Sequence, residues 1–228
     1  YLRNQSPMEL RFFLFNVFAV LGILSCSFAN AQYSLVVETE PSVSTEMLRY
    51  QVYLKFENST DRLSAIYGTD IDHMWIEAPE GVFNSPFNGG WSAAGMNAQF
   101  FDAMPTLEDD SYGTINLTTS AIHSPEGSQD PMMVEDRGSP WATFFTENGA
   151  TRLDINTLIG GSWFALKSAS NGLPDKNNRI LIAQITTSGS LSGEINAQIF
   201  PLGNGKNSKK VKFTFDGVGE TNGVEILR

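Results

Sequence analysis

The chain has 228 residues, 41% hydrophobic and 18% charged, with 25 acidic against 15 basic residues for a net charge of −10. That acidic balance repels phosphate backbones. The one gathering of cations, Lys206, Lys209, Lys210 and Lys212, reads as an edge strand kept soluble, so nucleic acid is not an expected partner. A single cysteine excludes an internal disulfide and leaves stability to the core, which a chain of this length can build.

Residues 1–31 read as an upstream extension and a secretory signal peptide. Met8 and Arg11 precede an apolar run over 12–24, and Ala29 and Ala31 place small residues at the third and first positions before a cut ahead of Gln32. The run is too short to span a bilayer, so the mature protein is expected to be secreted or held at the cell surface without a membrane span. Ile23-Leu24-Ser25-Cys26 only loosely follows the site at which bacterial lipoproteins are acylated, and the better site is Ala31.

Residues 32–228 read as one domain. A strand near 34–39, ended by Pro41, precedes a run over 48–57 in which Leu48, Tyr50, Val52, Leu54 and Phe56 alternate with polar neighbours, the period of a strand with one wet face. Short strands follow near 63–67 and 74–78. A loop over 83–91, rich in Asn, Pro and Gly, carries aromatics on the surface. After a strand near 113–119 comes a polar insert, near 118–140, broken by prolines and long enough to be either functional or mobile. Residues 141–155 predict a hairpin turning at Asn148-Gly149, and a further strand lies within 162–167. Residues 179–201 predict two strands joined by a tight turn at Ser188-Gly189-Ser190, with Gly189 supplying a positive φ. Ile180, Leu181, Ile182, Ala183 and Ile185 are apolar on both faces, which suits a central strand. In the second strand Ile195 should face inward and Asn196 outward. Val211, Phe213 and Phe215 close the pattern. With no sustained helical period, the fold class is all-β, a single antiparallel β-sandwich of immunoglobulin-like, cohesin-like or jelly-roll-like type.

Several segments carry a resemblance: Tyr50-Gln51-Val52-Tyr53, Asp61-Arg62-Leu63-Ser64-Ala65-Ile66-Tyr67-Gly68, Asp110-Ser111-Tyr112-Gly113-Thr114-Ile115, Gly160-Gly161-Ser162-Trp163, and the stretches 181–189 and 196–200. Together they resemble an all-β domain of secreted, often multidomain proteins of environmental marine bacteria, with Tyr112 standing where that pattern has Trp. The resemblance implies export and a single domain, and it supplies no activity. Likeness to cohesin-like or carbohydrate-binding sandwiches is one of fold level only.

Chemistry for catalysis is sparse. Outside the leader there are two histidines, His73 and His123, and Gly189-Ser190-Leu191-Ser192-Gly193 has Leu where a nucleophile elbow needs Ser. Carboxylates cluster at Asp70 with Asp72, at Glu108-Asp109-Asp110 and at Glu135-Asp136, which would serve a glycosidase only if two faced each other across a bond. Oxygen-rich loops, above all Asp175 and Asn177 near Asn171, allow a structural calcium as the one cofactor to consider. Trp75, Phe87, Trp91 and Trp141 could form a platform for sugar rings, with Trp91, Phe87 and Asn88 the expected ligand-binding residues. The expectation is therefore a secreted, non-catalytic binding or surface-interaction module with a carbohydrate or cell-surface partner. The alternatives are a secreted glycosidase-like hydrolase and a structural spacer.

Overall fold

The computed structural model describes residues 32–43 and 46–227; the expected leader, with Cys26, lies outside the described residues. Strands follow in chain order as β1 (Tyr33–Pro41), β2 (Leu48–Phe56), β3 (Arg62–Gly68), β4 (Met74–Glu77), β5 (Tyr112–Gly113), β6 (Met132–Val134), β7 (Arg152–Ile155), β8 (Gly161–Phe164), β9 (Arg179–Thr187), β10 (Ser192–Phe200), β11 (Lys209–Asp216), β12 (Gly219–Asn222) and β13 (Val224–Glu225). They form two antiparallel sheets. The first runs β12-β1-β2-β9-β5 and the second β13-β11-β10-β3-β8-β6, with β4 bridging β10 to β7. The chain is all-β and sandwich-like, as its alternation predicts.

One core cluster draws on the inner faces of both sheets. Val52, Leu54 and Phe56 of β2 meet Ile195, Ala197 and Ile199 of β10 and Val211, Phe213 and Phe215 of β11. Leu48, expected inside, begins β2 exposed. Trp163 of β8 crosses the interior, its indole N–H donating to the carbonyls of Thr114 and Ile182, both at 3.2 Å. Burying such a ring stabilises only when that N–H finds a partner, and here the partner belongs to the opposite sheet.

Three sequence expectations are corrected. First, residues 179–201 are not a hairpin: β9 pairs with β2 and β5, while β10 pairs with β11, β3 and β4, so the turn at 188–190 carries the chain from one sheet to the other. The glycine's φ is not positive, and the group nearest to a Cβ there is the Glu80 carboxylate, the movable end of an exposed side chain. Second, residues 141–155 are not a hairpin. Ala142–Phe145 form a 3-10 turn that buries Phe144 and Phe145, Gly149 takes φ 84° in a turn, and β7 pairs with β4. Two adjacent apolar rings fit a helical turn, which puts both on one side, better than a strand, which separates them. Third, the strand expected near 113–119 is only β5. Beyond it the chain bends, with Thr114 and Asn116 donating to Ile182 and Leu181 at 2.9 and 2.7 Å. The polar insert itself contributes β6 to the edge of the second sheet.

Candidate functional site

The 83–91 loop is organised from beneath. The Asp110 carboxylate, fully buried, accepts from the backbone N–H of Ser85 at 2.6 Å and from the Asn88 amide at 2.7 Å. Burial pushes this carboxyl up to about 7, against the opposing pull of those hydrogen bonds and one from Ser111, because no cation repays the lost hydration. Asn88, expected to face a ligand, therefore faces inward: it is 5% exposed, its Nδ2 also donates to the Ser92 carbonyl, and its Oδ1 accepts from Gly90. Trp91 is half-buried, edge-on to Trp141 with centroids 5.2 Å apart, and lies close over Gly113. Phe87 presents 53% of its surface to solvent.

The four aromatics do not assemble into one platform. Trp141 is core at 2% exposure, its indole N–H given to the Val134 carbonyl at 2.9 Å. Trp75 lies on β4 beneath the Arg152 guanidinium, 5.0 Å from its ring centre. Asp175 closes its own turn, its Oδ1 accepting from the N–H groups of Asn177 and Arg179 at 2.8 and 2.9 Å, while Asn177 is exposed. Among the described residues no group of three or more His, Cys, Asp or Glu side chains is placed to hold a metal ion. The lysines of the β11 region are partly spoken for. Lys209 pairs with Glu225 at 2.9 Å, Lys212 with Glu194 at 2.5 Å, and Lys210 sits over the Tyr67 ring.

A concavity among the described residues lies elsewhere. A groove of about 460 Å³ opens between the start of the polar insert and the 170–174 segment, within the 300–1,000 Å³ typical of ligand sites. One wall is the bend after β5. Thr114 Oγ1 donates to the Leu117 carbonyl at 2.7 Å and accepts its N–H at 3.1 Å, and Asn116 sits at φ 56°, an uncommon conformation that Asn tolerates better than most residues. A second wall is the 121–128 stretch, anchored where the Ala121 N–H donates to Asp130 at 2.8 Å. The third is the Ser170–Gly172 turn with Leu173 and Pro174, tied across by Ser170 N–H to the Gly127 carbonyl at 2.9 Å.

Asn171 joins all three walls. Its Nδ2 donates to the carbonyls of Ile115 at 2.6 Å and Gln129 at 3.1 Å, and its Oδ1 accepts the Gln129 N–H at 3.0 Å. Thr118, Thr119, Ser124, Ser128 and Ser170 supply hydroxyls to the lining, Leu117, Pro125, Leu173 and Pro174 apolar faces, and His123 an exposed imidazole. No carboxylate lines it. The long insert was the sequence signal for this site. Its pairing with the 170–174 segment had none, because the two lie more than forty residues apart and meet through side-chain and backbone hydrogen bonds at Asn171 and Ser170 that no local pattern announces. Comparison with protein-family models, curated proteins and solved structures returns no match.

Proposed function

We propose that this chain is an exported, non-catalytic binding module that seats a polar ligand in the groove between the polar insert and the 170–174 segment. The observation that carries the reading is the lining: hydroxyls and amides that both donate and accept, over prolines and leucines, with no carboxylate among them. Hydrolysis of a glycoside needs two carboxyl groups facing across a bond, and the acidic groups of 108–110 are instead taken up by backbone N–H groups, Asn88 and Arg49. Export is supported by the arrangement of Arg11, the apolar run over 12–24 and Ala29 to Ala31 ahead of Gln32. The test is a pull-down of the purified protein on insoluble polysaccharides and bacterial cell envelopes, with Thr118→Tyr as the groove-filling variant, since Thr118 is exposed and its replacement disturbs no core. Binding should fall at least tenfold in that variant at unchanged melting temperature. Equal binding by the variant refutes the groove as the site, and release of reducing ends from a bound polysaccharide refutes the non-catalytic reading.

A further inference from the structure

We infer that the groove selects an uncharged glycan and discriminates against sulfated or uronate-bearing ones, an inference that rests on the groove being the binding site. The lining holds neither Lys nor Arg, and its one ionisable group is His123. An anion entering it would give up hydration with no fixed cation to replace it, a cost that neutral hydroxyls avoid. On the insert side the charge just behind the wall points the same way. Asp130 holds the 121 turn through the Ala121 N–H, so an acid flanks the groove on the insert side. On the opposite side Arg62 donates its Nη1 to the Ala169 carbonyl. The net charge of −10 adds a long-range field that repels polyanions.

Glycans fit this lining better than peptides do. Peptide recognition draws on a free strand edge, an apolar groove for a helix, an aromatic trough for a proline-rich segment, or an arginine cluster for a phosphate. The groove is walled by turns, carries no Phe, Tyr or Trp, and lacks Arg. Hexose rings instead present hydroxyls at the rim and apolar C–H faces. Thr118, Thr119 and Ser128 can serve the first as donor or acceptor, and Pro125, Pro174 and the His123 ring can meet the second.

The experiment measures binding of the purified protein to mannan, xylan and a β-glucan, each beside its own sulfated derivative, to alginate, and to a random-peptide array. Wild type should bind at least one neutral polymer, and sulfation should weaken that binding tenfold or more at constant salt. Thr118→Tyr and, as a second variant, Ser128→Tyr should abolish it without lowering the melting temperature. Preference for a sulfated polymer or alginate, lost in the same variants, overturns the inference while leaving the groove as the site. Peptides bound in place of glycans, again sensitive to both variants, overturn it as well. Binding to nothing, or binding that both folded variants retain, overturns the inference together with the reading beneath it.

Discussion

Asn196→Asp exchanges one atom at a position that strand alternation assigns to solvent, and it should be among the most damaging single changes in the protein. Asn196 is fully buried, and its Nδ2 donates to the carbonyls of His73 at 2.9 Å, Asp72 at 3.0 Å and Tyr67 at 3.3 Å. An aspartate would set a carboxylate oxygen against those three carbonyls. Each buried carbonyl left without its donor costs about 1–3 kcal/mol, and an unpaired buried charge costs about 3–5 kcal/mol. These terms overlap, so we expect a loss on the order of 4 kcal/mol, a large share of a typical domain's ~5–15 kcal/mol. At a urea dependence of about 2 kcal/mol per molar, the midpoint should fall by about 2 M. The matched control is Gln198→Glu, the same exchange two residues along on the same face, where the amide reaches only the Ser208 hydroxyl at 3.1 Å near solvent; it should cost under about 1 kcal/mol. The assay is urea unfolding followed by tryptophan fluorescence at pH 8 and pH 5. Protonation should relieve part of the penalty of Asn196→Asp at the lower pH, because burial raises the introduced carboxyl above its unfolded value. Equal midpoints for the two variants would refute the covered environment of Asn196.

Asp110 gives a pH signature of its own. Its folded value near 7 lies above the ordinary 3.8, so the folded chain holds this proton more tightly than the unfolded one. The stability it contributes is fully present below about pH 4 and is lost as pH rises through 7, by up to about 4 kcal/mol. Urea midpoints taken from pH 4 to 8 should therefore decline more steeply with pH in wild type than in Asp110→Asn, and parallel profiles would place the carboxyl in water. Gly193→Ala tests the packing of β10. A Cβ there would stand 2.6 Å from both the Phe215 ring and the Trp75 carbonyl oxygen, a backbone atom that cannot swing aside, so calorimetry should show a loss of about 1–3 kcal/mol.

Alternation reports which face of a strand is covered and is silent on what covers it. In β11 the covering is local: Val211, Phe213 and Phe215 face the core and their neighbours face water, so the period of two reads true. In β9 and β10 the apolar residues are equally plain, yet Ile182 and Ile195 belong to one cluster viewed from opposite sheets. Two strands lying across a core and two lying side by side bury the same residues, so the pattern over 179–201 is the same for an arch as for a hairpin. Asn196 shows the second gap. It does point away from the sandwich interior, but the 67–73 bend folds back over it, as Glu108 and Asp110 fold over Gln184 on the outer face of β9. Each such cover is held by a side-chain amide donating to backbone carbonyls, an arrangement that makes irregular chain stable next to a sheet without apolar contact. Asn171 does the same between the insert and the 170–174 segment. Because that clamp fixes two turns instead of a flat strand face, it leaves a concavity between them, and the walls carry the Ser, Thr and Pro that make turns in the first place. The polar, uncharged lining of the groove thus follows from how it is built.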